Sequence, residues 1–184
     1  MYDYNAIGIV AVKSNSKRFP NKNIHLFNGK PLFLDSILAL KNCKRIEKLF
    51  VTTDSVVIEK HCKKYSVEVI KRNKNMINDE EPLLNVLRYA YQTINYRARF
   101  IVTVMANCPG HDSEMIDNAI ELISKKEFNE IRSFNDSGEE SGLIILKENV
   151  LMKYCNISSH IGMVSVNAKE IHYYEDLEKI NVNK

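Results

Sequence analysis

Apolar residues fall into two patterns along this chain: short unbroken runs, and longer stretches in which they recur every three or four positions. Residues 6–12 (AIGIVAV) are apolar throughout, which predicts a strand buried on both faces. Residues 31–42 (PLFLDSILALKN) carry apolar positions at helical spacing, with Pro31 suited to a first helical turn. The two patterns then alternate. Strands are predicted over 48–52 (KLFVT), 67–70 and 99–105 (RFIVTVM). Helices are predicted from a cap at Asp54 or Ser55 through Tyr65, over 82–95 (PLLNVLRYAYQTIN), and over 114–125 behind a cap at Asp112 or Ser113. Further strands are expected near 130–134, 142–146 and 163–166, with helices near 148–154 and 175–180.

Repeated strand–helix units at this spacing predict an α/β fold, a mostly parallel central sheet with helices on both faces. One domain over residues 1–184 is expected. The polar, turn-rich stretch 135–142 (NDSGEESG) is expected to be a surface loop. In an open sheet of this kind, ligands bind beyond the carboxyl ends of the strands. Loops 13–23, 53–55, 71–79 and 106–112 all fall there and are expected to converge.

Composition narrows the field modestly. The 184 residues are 45% hydrophobic and 27% charged, and the net charge of +3 is too small to argue for a nucleic-acid partner. Cys43, Cys62, Cys108 and Cys155 form no CxxC pair, so zinc and a disulfide framework are not expected. The N-terminus MYDYNAIGIV lacks a basic region before a long apolar core, and no apolar run reaches the roughly 18 residues of a membrane span. A cytoplasmic location without a membrane partner is the expectation.

The candidate chemistry lies directly after the first strand, in AVKSNSKRFPNKN. Lys13, Lys17, Arg18 and Lys22 are interleaved there with Ser14, Asn15, Ser16 and Asn23. Small polar residues let backbone N–H groups curl around phosphate oxygens, and the cations neutralise the charge. In phosphoryl or nucleotidyl transfer they also stabilise a leaving pyrophosphate. There is no GxxxxGK[ST] and no GxGxxG. From charge alone, a solvated basic loop explains the stretch equally well.

The longer stretch KSNSKRFPNKNIHLFNGKPLFLDSILAL resembles the N-terminal signature of the acylneuraminate cytidylyltransferases, with Ser16, Lys17, Pro20, Lys22, Asn23, Asn28, Gly29, Lys30, Pro31 and Leu32 matching as they stand. Two later landmarks are similar: VTTDS at 51–55, and Arg72 followed by Asp79. The resemblance covers roughly the first 125 residues. It implies a Rossmann-like nucleotidyltransferase fold. It also implies attack of a sugar's anomeric hydroxyl on the α-phosphate of CTP, giving a CMP-sugar and pyrophosphate with the help of Mg²⁺. The sugar would be a sialic-acid-like nonulosonic acid. Lys13, Ser14, Asn15, Ser16, Lys17, Arg18, Lys22, Asn23 and Arg72 would hold the nucleotide, with Lys13, Lys17 and Lys22 stabilising charge in the transfer.

Four departures accompany the likeness. Lys13 replaces an arginine. MANCPG follows the strand 99–105, placing Asn107 where Kdo-activating relatives have a metal-holding aspartate. Glu170 and His172, in KEIHYYEDLEKI, stand at a later acidic metal motif. Asn107, Glu170 and His172 are therefore the metal candidates, and Asn107 and His111 the acceptor candidates. Lastly, the segment that builds a dimer arm is missing before SGLIILK, which leaves a homodimer open. Two alternatives remain: a nucleotidyltransferase using another NTP or a sugar phosphate, and a non-catalytic nucleotide-binding subunit.

Overall fold

The computed structural model describes residues 4–14, 16–77, 81–153 and 160–182. Its strands are β1 (Ala6–Val12), β2 (Leu26–Phe27), β3 (Lys30–Pro31), β4 (Ile46–Thr53), β5 (Glu68–Lys71), β6 (Phe100–Val104), β7 (Glu130–Phe134), β8 (Glu140–Lys147) and β9 (Ile161–Ser165). Its α-helices are α1 (Phe33–Lys41), α2 (Val56–Lys64), α3 (Leu83–Thr93), α4 (Ser113–Lys125), α5 (Glu148–Lys153) and α6 (Tyr174–Val182).

Strand β1 is apolar on both faces because it sits inside the sheet with helices on either side. Val10 and Val12 join one core cluster with Phe33 and Ile37 of α1, Ile58 of α2 and Ile116 of α4. Ile7 and Ile9 join the opposite cluster with Leu87 of α3 and Leu151 of α5. The sheet order is β5-β4-β1-β6-β8-β7-β9. β4 and β6 both run parallel to β1, and β5 runs parallel to β4. β8 is antiparallel to β6 and β7, and β9 is parallel to β7. Six strands thus point one way and β8 alone runs against them, which is the mostly parallel architecture expected.

Several local expectations change. Pro31 is in β3, paired with Leu26 of β2, and not in the first turn of a helix. Asn28 and Gly29 adopt φ of 49° and 76° between the two short strands. Two successive left-handed residues make the tight turn of a β-ribbon, and helix α1 begins only after it. Asp54 does not cap α2; Ser55 does, its hydroxyl accepting from the Ile58 N–H. β8 starts at Glu140, inside the stretch expected to be loop, because Glu140 pairs with Phe134. The turn at 135–139 is closed by Asn135, whose side-chain oxygen accepts from the Ser137 and Glu139 N–H groups. Cys43, Cys62 and Cys108 are free and buried, while Cys155 lies outside the described residues. No helix among the described residues is long and apolar enough to cross a membrane.

Candidate active site

From β1 the chain winds outward to β4 and β5 on one side and to β6 on the other. That reversal opens a crevice at the carboxyl ends of the strands. A cavity of about 280 Å³ lies there. Its wall includes Lys13, Ser16, Arg18, Lys22 and Asn23 from the loop after β1, and Arg72 from the end of β5. Asn107, from the segment after β6, and Glu170 and His172, from the segment between β9 and α6, also line it. Residues as far apart in sequence as Lys13 and His172 therefore meet because parallel strands deliver their following loops to one edge.

The loop after β1 is held at three points. Asp54, at the end of β4, accepts a hydrogen bond from the Ser14 N–H at 2.8 Å and a second from the Ser14 hydroxyl. The Asn23 side-chain amide donates to the Lys13 carbonyl at 2.9 Å, closing the loop on itself. Lys22, only 8% exposed, donates from Nζ to the Ile171 carbonyl at 2.6 Å. Burial, reinforced by the nearby Arg18 charge, lowers the Lys22 ammonium from its usual value to about 8. It retains two further donors for a ligand. Arg18 lies over the Tyr173 ring, 5.9 Å from its centroid. Arg72 donates from Nη2 to the Thr52 carbonyl at 3.0 Å, and burial depresses its guanidinium below the usual range.

The opposite wall is bonded mainly to itself. The MANCPG segment is tied to α1 through Ser36, whose hydroxyl donates to the Met105 carbonyl, and through Asp35, which accepts from the Gly110 N–H. It is tied to β8 through the Met105 N–H, which donates to the Gly142 carbonyl. Gly142 has φ of 86°, and a Cβ there would lie 2.7 Å from that of Cys108. Only glycine permits both the conformation and the approach. The Asn107 side chain donates from Nδ2 to the Ile171 carbonyl at 3.0 Å, and the Asn107 backbone carbonyl accepts the Ile171 N–H at 2.8 Å. Glu170 Oε2 lies 3.5 Å from Asn107 Nδ2 and 3.4 Å from His172 Nε2. Beside residues 167–173 lies a larger groove of about 810 Å³, which shares Glu170 and His172 and adds Asp35, Lys169, Asp176 and Lys179.

Not every expected residue reaches the cavity. Ser14 is turned to Asp54, and Lys17 is exposed outside the lining. His111 is buried beneath the segment after β6, with Nδ1 3.0 Å from the Cys108 carbonyl, and lines neither space. Asp112 caps α4 by accepting the Met115 N–H. Asn15 and Asp79 lie outside the described residues. Sequence reasoning did not single out Met76, Glu81, Leu83, Val86 or Thr103, all of which line the cavity. Leu83 and Val86 belong to α3, whose apolar periodicity announced a core face and gave no hint of a site. Among the described residues, no three His, Cys, Asp or Glu side chains come together as a ready-made metal site.

A family model described as cytidylyltransferase matches residues 7–180. The pseudaminic acid cytidylyltransferase and UDP-2,4-diacetamido-2,4,6-trideoxy-beta-L-altropyranose hydrolase of Helicobacter pylori is 30% identical over 124 residues, covering 66% of this chain and 24% of that protein. The CMP-N,N'-diacetyllegionaminic acid synthase of Legionella pneumophila is 25% identical over 120 residues, covering 63% of this chain and 52% of its own. The chain thus spans about a quarter of the first relative's length and about half of the second's. Among solved structures, a CMP:2-keto-3-deoxy-manno-octonic acid synthetase complexed with CTP superposes with a TM-score of 0.80 at 12% identity, covering 97% of each chain.

Proposed function

The chain belongs to the cytidylyltransferase family, and from that premise we propose that it condenses CTP with a sialic-acid-like sugar to give a CMP-sugar and pyrophosphate. The observation that carries this reading is the convergence of Lys13, Arg18 and Lys22 with Arg72, Asn107 and Glu170 around one cavity. The triphosphate would lie along the loop after β1, where cations and backbone N–H groups offset its charge. The base would point toward Arg72 and α3. The acceptor would enter from the larger groove, where Lys169 and Lys179 can meet a sugar carboxylate. Its hydroxyl oxygen would form the new bond to the α-phosphorus as the bond to the pyrophosphate oxygen breaks. The hydroxyl proton passes to solvent water in the step. The names of the Helicobacter and Legionella relatives support a nonulosonic acid as acceptor.

A divalent cation fits the wall at Glu170. Mg²⁺ is commonly held by one or two carboxylates together with substrate phosphates and water, and Glu170 supplies one. The Asn107 side chain beside it is a neutral ligand. His172 suits Mg²⁺ poorly and fits better as the partner of Glu170. When bound, the cation would neutralise charge on the phosphates; the lysines and arginines of the first loop orient them.

Thermal shifts with CTP, UTP, ATP and GTP, each with and without Mg²⁺, test the reading. A nucleotide at 100 times its Kd adds about 2.7 kcal/mol, several degrees of Tm at this size. A CTP-selective, Mg²⁺-enhanced shift and pyrophosphate release with a nonulosonic acid are expected. A shift with CTP that ignores Mg²⁺, without pyrophosphate release, would favour a non-catalytic subunit.

A further inference from the structure

Two carboxylates line the cavity among the described residues, Glu81 and Glu170. Glu170 lies beside Asn107, in the segment between β9 and α6. Glu81 stands on the opposite side, just before α3 (Leu83–Thr93), in the wall that also holds Arg72 and the apolar side chains of Met76, Leu83 and Val86. A carboxylate in a space meant for a polyanion is unfavourable unless it meets a hydrogen-bond donor there. Its position is fixed: one Glu81 oxygen accepts from the Asn85 side-chain amide at 2.9 Å. A carboxylate has about four acceptor sites, so capacity remains for a second donor. Arg72 is fixed too, through Thr52, and its Nε has no partner among the described residues. This wall therefore offers one acceptor group and one donor group beside apolar surfaces suited to a base.

We propose that Glu81 is the residue that selects cytosine over uracil, by accepting a hydrogen bond from the exocyclic amine of the base. The inference rests on the nucleotide reading above. Cytosine presents an amine donor at the position where uracil presents a carbonyl acceptor, and acidic side chains pair with that amine. The carbonyl and ring acceptors of cytosine suit Arg72. Uracil in the same pose sets its carbonyl oxygen against the Glu81 carboxylate, acceptor against acceptor, so rejection comes from repulsion as well as from a missing bond.

Calorimetric Kd values for CTP and UTP with Mg²⁺, in the wild-type chain and in the Glu81→Gln and Glu81→Ala variants, decide it. The wild-type chain is expected to favour CTP by roughly tenfold or more. Glu81→Gln, whose amide can turn to donate or accept, should bring the two Kd values close to equality. Glu81→Ala should weaken CTP and leave UTP unchanged or tighter. Glu81 is half-buried on the surface turn before α3, and the circular dichroism of both variants reports that they are folded. An unchanged CTP/UTP ratio in both variants overturns the assignment of Glu81 and leaves the nucleotide reading intact. Failure of the wild-type chain to bind either nucleotide overturns both.

Discussion

On the β1–β5 side of the cavity, Lys22 and Arg72 are each anchored by a single backbone carbonyl and keep donors in reserve. On the β6 side, Asn107, Glu170 and His172 bond to one another and to the backbone of residue 171. The first wall is a cationic cradle assembled before any ligand arrives. The second is a set of side chains already bonded to one another and to the backbone, which a cation or acceptor bound as proposed would have to rearrange. On the proposed reading, the first wall would receive the nucleotide without rearrangement and the second would rearrange for its reaction partner. The link between the walls is Ile171, whose carbonyl receives Lys22 from one side and Asn107 from the other.

Replacing Lys22 should separate the walls most strongly. Lys22→Met keeps the buried stem and removes a charge-assisted contact, so CTP affinity should fall by about 1.5–3 kcal/mol. Tm should not fall, because the buried charge itself is costly and Ile171 keeps its bond to Asn107. Calorimetry and a thermal melt check both, and unaltered affinity would remove the first loop from the phosphate site.

Asn107→Asp probes the second wall. It turns a donor into an acceptor facing the Ile171 carbonyl and Glu170. In chelator the variant should lose about 1–3 kcal/mol, read as a lower Tm, and added Mg²⁺ should restore most of it. A drop that Mg²⁺ does not repair would place Asn107 away from the cation.

The pH dependence of binding sharpens the comparison from the first side. Lys22 loses its proton above about 8, whereas its unfolded value is 10.5. A triphosphate favours the protonated form, so CTP affinity should hold up to about pH 8 and then weaken by at most about tenfold per unit. Lys22→Met should remove that dependence. For the unliganded chain the sign is opposite: the unfolded state binds the extra proton between about 8 and 10.5, so this group raises stability with pH across that window.

The smallest effect belongs to Tyr173, which meets the first wall at Arg18. It is exposed at 51%, so Tyr173→Ala should cost about 0.5–1 kcal/mol of CTP affinity at most. A larger loss in a titration would mean that Tyr173 meets the ligand itself.

Much of the frame was legible. The run at 6–12 is β1 residue for residue, because a strand buried on both faces must be apolar along its length, and 130–134 is β7. Asp112 was readable as a cap, since N-cap chemistry is local. The ribbon β2–β3 was not, because two-residue strands carry no period. Instead, Asn28 and Gly29 held the signal. The cationic half of the site was visible as a cluster within ten residues. Glu81, Met76 and Thr103 were not, having no signature of their own.

What the sequence by itself determined is what neighbours along the chain can decide: the alternation of buried strands with amphipathic helices, the caps, and a loop too rich in cations to be ordinary core. Only the tertiary structure decided that Lys22 rests on a carbonyl 149 residues away, that His111 faces inward, and that Glu81 shares a cavity with Arg72. The reason is physical. Local patterns are set by the periodicity of backbone hydrogen bonding, whereas a site is set by which strand ends the sheet places side by side. In the unfolded chain those residues have no energetic reason to meet.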